Sequence, residues 1–188
     1  MAAIKDIRWQ EACHEAAHAV AAYLDKRPLI SLTVVPDPRY GEGRCEYEGR
    51  PCKTPDGQWD REAITTDAII TLAGSLAQEQ ALPQALPAEV LALQREICPH
   101  MWLRRADGAD DSDLAIIRRN LRGLYAGNEE EVERELDGLC TRTEELFDPS
   151  SRAWAVVETL ATELCERETL TGEEATEIIQ TALKEGDA

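Results

Sequence analysis

His14, Glu15 and His18 stand in the pattern His-Glu-x-x-His inside residues 9–24, a stretch without proline or glycine. Such a stretch reads as one continuous helix, and on a helix residues four apart lie one above the other on the same face. The two imidazoles can therefore converge on a single metal ion, with Glu15 beside them as the natural general base. Turning the run by about 100° per residue gathers Trp9, Cys13, Ala16, Val20 and Leu24 on an apolar stripe. Glu11, His14, Glu15, His18 and Asp25 fall on the opposite side. The expectation is an amphipathic helix whose histidines lie outside the core. A solvated polar face with two idle histidines is the plainer alternative; against it, the chain has 3 histidines and two of them stand here.

A chain of 188 residues is long enough for one domain with a real core, and a second full domain is not expected, so residues 1–188 are read as a single unit. Hydrophobic residues make up 43% and aromatics 5%, with many Ala and Leu, which points to helices packed through small and aliphatic side chains. The formal charge of -17 argues against nucleic acid or an anionic membrane as partner, since both would repel it, and solubility accounts for it more simply. The longest nearly uncharged stretch, residues 68–77, is too short to span a bilayer, and no basic segment followed by an apolar one opens the chain. A soluble, cytoplasmic protein without membrane insertion is expected. The six cysteines (Cys13, Cys45, Cys52, Cys98, Cys140, Cys165) form no C-x-x-C pair and are read as reduced thiols. Cys98-Pro99-His100 has the look of a metal fragment, but no second cluster completes it.

Residues 1–7 read as a short lead-in, and Asp25-Lys26-Arg27-Pro28 as the end of the motif helix, because the proline disfavours helical geometry in the residue before it. Residues 29–35 are rich in β-branched side chains and bounded by prolines, the pattern of a strand; residues 43–47 are a second strand. Residues 48–58 read as loop and residues 59–82 as helix, with Gly74 a place where another backbone can pack closely, a structural role. A shorter helix is expected over residues 88–97. The polar run Arg105 to Asp113 leads into Leu114, Ile117, Leu121 and Leu124, spaced as an amphipathic helix, with N-capping the plain role for its acids. Three more helices follow over residues 129–147, 151–167 and 172–184, with residues 148–150 and 169–171 as breaks.

Five blocks in this order resemble the zinc peptidase domain of the FtsH family, the membrane-anchored AAA-type proteases. Cys13-His14-Glu15-Ala16-Ala17-His18-Ala19-Val20 is similar to that family's H-E-A-G-H helix, and Leu32-Thr33-Val34-Val35-Pro36 to its V-T-I-I-P strand. Leu72-Ala73-Gly74-Ser75-Leu76-Ala77-Gln78-Glu79 resembles L-G-G-R-x-A-E-E, and Gly108-Ala109-Asp110-Asp111-Ser112-Asp113-Leu114 resembles G-A-x-N-D-L. The stretch from Ala161 through Thr169-Leu170-Thr171-Gly172-Glu173-Glu174 is similar to L-L-x-x-E-T-L-D-G-E-E. Three features depart from the family: Ala17 replaces the pentad's glycine, the 188 residues contain neither transmembrane segments nor an ATPase module, and the family's G-M-S-like substrate loop region is not recognisable between Tyr125 and Phe147.

The resemblance implies a mainly α fold, with a small sheet or hairpin beside the zinc-motif helix, and Zn²⁺ held by His14, His18 and Asp113. Independently, a catalytic zinc takes three protein ligands and keeps one position open, and Asp, Glu, Cys or His100 are the residues able to supply the third; Asp110 and Asp111 are the fallbacks to Asp113. Glu79 is expected to orient a ligand imidazole at most. The implied activity is that of a zinc metalloendopeptidase, a hydrolase with Glu15 as base. Its substrates would be flexible or unfolded polypeptides laid in extended form beside the strand at residues 29–35. A homo-oligomer or a separate ATPase is the implied protein partner. The competing expectation is a non-proteolytic zinc-binding domain that regulates such an ATPase.

Overall fold

The helix that carries the pentad is longer, and more deeply placed, than its sequence pattern predicts. A computed structural model describes residues 2–36, 43–81 and 113–185, without the side chains of residues 2–7, 113 and 185. In it α1 spans Ala2–Leu24, so the stretch expected as a lead-in is helical from Ala2. Ala12, Cys13, Ala16, Ala17, Ala19, Val20, Ala21 and Ala22 are all buried, and so is Glu15 at 4% exposure, whereas Leu24 on the expected apolar stripe is 42% exposed. The two-sided reading of this helix is thus corrected. It assumes a helix with solvent on one side, but alanine-rich turns let other elements close in from several directions. α1 packs against α2 (Arg61–Gln80), α5 (Arg152–Arg167) and the sheet.

α1 ends in a Schellman turn. Lys26 adopts φ +60°, and the Arg27 and Lys26 amides donate to the carbonyls of Ala22 and Tyr23, both at 2.9 Å. Pro28 then leads into β1 (Leu29–Thr33), which pairs antiparallel with β2 (Arg44–Tyr47) on one side and β3 (Thr169–Thr171) on the other. Leu32 stands opposite Cys45 and Leu170, and Leu32 and Leu170 are fully buried on the face that covers the helices. β1 is two residues shorter than expected, although the Val34 amide still donates to the Glu168 carbonyl at 3.0 Å. β3 occupies residues expected as a break. With both edges of β1 taken, no extended peptide can pair beside it, which corrects the substrate placement expected from the sequence.

The remaining helices among the described residues are α3 (Asp113–Leu124), α4 (Glu129–Leu146) and α6 (Gly172–Glu185), close to the expected ranges. Asp60, Asn128 and Ser151 cap α2, α4 and α5 by accepting from the amides of Ala63, Glu131 and Trp154. Thr171 and Glu174 close a reciprocal box at the start of α6. Val20, Ile64, Ile70, Leu121, Leu139, Phe147, Leu160, Leu164 and Ile179 join in one core drawn from each of the described helices. The architecture is mainly helical with a small three-stranded sheet. The helix expected over residues 88–97 lies outside the described residues. Among those described, no helix is long and apolar enough to cross a membrane, and Cys13, Cys45, Cys52, Cys140 and Cys165 are free thiols.

Candidate metal centre

One helical turn brings the Nε2 atoms of His14 and His18 to 3.0 Å from each other, the rings nearly perpendicular at 79°. α2 lies across them and holds the opposite side of each ring. Nδ1 of His18 donates to the Ile70 carbonyl at 2.7 Å, and Nδ1 of His14 lies 3.2 Å from Oε1 of Gln78. A carbonyl only accepts, so His18 carries its proton on Nδ1 and turns the Nε2 lone pair inward.

Ile70, Gly74 and Gln78 follow one another at four-residue steps along α2, and Gly74 sits between the other two directly over the rings. A Cβ at this position would lie 2.3 Å from Nε2 of His18 and 2.8 Å from Nε2 of His14. The missing side chain also matters for Ile70, because a helical carbonyl points at the residue four places on, and a glycine there leaves its second lone pair open to His18. The close neighbours at Gly74 are thus the two imidazoles and not the packed backbone expected there, which corrects the purely structural role.

Burial, and then the neighbouring His18, lower the His14 pKa to about 3, with the Gln78 contact opposing them. His14 is consequently neutral, the form that can ligate a metal, through the whole physiological range. Glu15 lies within electrostatic reach of β2: burial first, then the Glu15 charge and that of Glu46, push the Cys45 thiol well above its usual value. The half-buried Glu79 follows Gln78 on α2, but the Nδ1 partners are Gln78 and Ile70, so they do the orienting expected of Glu79.

Asp113 is the first residue of α3, which packs on α2, the helix that covers the histidines. Its side chain lies outside the described residues, as do the fallbacks Asp110 and Asp111 and the Cys98-Pro99-His100 fragment. Among the described residues, no group of three His, Cys, Asp or Glu side chains is placed to hold a metal ion. The histidine pair itself fits zinc. Two nitrogens bound tetrahedrally to one zinc at about 2.0–2.1 Å stand roughly 3.3 Å apart, close to the spacing here, and ligand imidazoles characteristically give the other N–H to a carbonyl oxygen. The glycine over the rings leaves space that a side chain would fill.

The histidine pair is legible in the sequence, whereas the Ile70 carbonyl and Gln78 as its ring partners are not. A signal for both was present: a helix-interior glycine flanked four residues away on each side by groups able to accept a hydrogen bond. Compared with known protein families and curated proteins, the chain matches no family model and no curated protein.

Proposed function

We propose that the chain is a zinc-dependent metalloendopeptidase of the FtsH peptidase type, acting on flexible or unfolded polypeptides in the cytoplasm. The observation that carries the reading is the convergence of the His14 and His18 Nε2 atoms with both Nδ1 atoms held from behind. It is supported by the way blocks far apart in the sequence meet. The pentad helix faces the Leu72–Glu79 block of α2, and the Leu32 block pairs with the Thr169–Thr171 block.

His14, His18 and Asp113 would hold the ion. Zinc in such a setting lowers the pKa of water towards roughly 7 and polarises a carbonyl. Glu15 supplies the carboxylate that takes a proton from the attacking water and returns it to the departing amide nitrogen. Glu15 is buried, next in the chain to His14 on the same helix. We put the extended substrate on the outer edge of β2, which carries no strand among the described residues and lies near Glu15 through Cys45.

The test is Glu15→Gln in the full chain, with casein as unfolded substrate and zinc content read by elemental analysis. The variant should keep one zinc per chain and lose cleavage by about 10²-fold or more. Unchanged, chelator-sensitive cleavage in the variant would end the mechanism. A wild-type chain that holds zinc and never cleaves would favour the regulatory domain beside a separate ATPase.

A further inference from the structure

The Ile70 carbonyl can only accept, so it fixes the His18 proton on Nδ1 and leaves His18 Nε2 an acceptor. Facing that lone pair at 3.0 Å is Nε2 of His14. Two bare lone pairs at this distance repel, so either a cation or a proton belongs between them. With zinc there, His14 keeps its proton on Nδ1, and Nδ1 needs an acceptor. With zinc removed, neutral His14 satisfies the pair by carrying its proton on Nε2 and donating to His18, and Nδ1 then needs a donor.

We infer that Gln78 is a positioning residue whose carboxamide turns with the tautomer of His14, offering Oε1 to Nδ1–H when metal is bound and its NH₂ to bare Nδ1 when it is not. A carboxamide presents either role after a half-turn about its last bond, whereas a carboxylate presents acceptors alone. Gln78 is exposed among the described residues, so its carboxamide is not locked in a packed core. The imidazole stays neutral throughout: it loses a proton to water at one nitrogen and gains one at the other. The chain Gln78–His14–His18–Ile70 is thus fully hydrogen-bonded or ligated in both conditions. The inference rests on the zinc reading of the site but not on its peptidase activity.

The experiment is nitrogen NMR of ¹⁵N-imidazole-labelled full-length protein, chelator-treated and zinc-loaded, together with zinc affinity by competition with a chelator of known strength. In the wild type His14 should appear as the Nε2–H tautomer without zinc and as Nδ1–H with it. Gln78→Glu should show Nδ1–H in both conditions and bind zinc about tenfold more tightly, and Gln78→Leu should bind it roughly 10- to 100-fold more weakly. An exposed position makes both variants tolerable to the fold, and far-UV circular dichroism checks that. One His14 tautomer in the wild type under both conditions, or unchanged affinity in Gln78→Glu, overturns the inference. So does a wild type that takes up no zinc. Zinc-loaded protein that shows the tautomer exchange but cleaves nothing supports this inference and removes the peptidase reading alone.

Discussion

At the scale of single residues, Gly74 is the sharpest test of the site. Alanine there would raise the helix propensity of α2 by about 1 kcal/mol, yet its methyl would stand 2.3 Å from His18 Nε2. The ring cannot retreat without breaking its bond to Ile70, so the contact outweighs the propensity. Gly74→Ala should weaken zinc binding by at least about tenfold, measured by chelator competition, and unchanged affinity would mean that α2 does not close over the rings. A second expectation concerns acid. The His14 pKa is about 6.5 in an unfolded chain but about 3 when folded, so between those values the unfolded chain binds more protons and stability falls as pH falls. In chelator-treated protein, lowering the pH from 6.5 to 5, above most carboxylate titration, should cost about 1 to 2 kcal/mol, and His14→Gln should flatten that slope. Denaturant midpoints across the range check it. The pentad is legible in the sequence because its spacing acts within one helical turn. Gly74 is legible only as a helix glycine, since its partners are 56 and 60 positions earlier in the chain.

Among the elements, what can be read in advance is what depends on neighbours in sequence. Asp60, Asn128, Ser151 and the Thr171–Glu174 box stand where helix starts are expected, and each does cap a helix. β3 could not be read in this way: three residues have no periodicity, and Thr169–Thr171 becomes a strand only by pairing with β1. The burial of α1 escapes for the same reason, because a helical wheel records polarity and not the number of neighbours. The α1–α2 clamp that creates the site has its own anchor in Arg27, 3% exposed, which reads in sequence as just one cation at a helix end. It pairs with Asp25 at 2.8 Å and Asp67 at 2.5 Å, reaches Thr66 at 3.2 Å, and lies over the Tyr47 ring. Burial works against its charge, but Asp25 and Asp67 outweigh it and raise the guanidinium pKa. Arg27→Ala should therefore destabilise the fold by about 3 kcal/mol, with the loss partly recovered in the double variant with Asp67→Ala. A loss below about 1 kcal/mol in denaturant titration would class the cluster with ordinary surface ion pairs.

For the molecule as a whole, two sources of stabilisation can be separated by their dependence on ions. A net charge of -17 on 188 residues repels itself, and the repulsion is screened once the Debye length shrinks to about 10 Å at 0.1 M salt. Raising sodium chloride from about 10 to 150 mM should therefore lift Tm by a few degrees, which for a chain of this size corresponds to about 1 kcal/mol. Zinc would act differently, because on the proposed reading it binds one place in the folded chain. Free zinc at about 100 times Kd adds about 2.7 kcal/mol, or roughly 5–10 °C in Tm. Magnesium at the same ionic strength screens the acidic surface equally but is a hard cation that prefers oxygen ligands, so it should reproduce the salt shift and none of the zinc shift. His14→Gln with His18→Gln should keep the first and lose the second. Equal shifts from zinc and magnesium, in either protein, would mean that the paired imidazoles hold no ion and that the acidic surface alone responds.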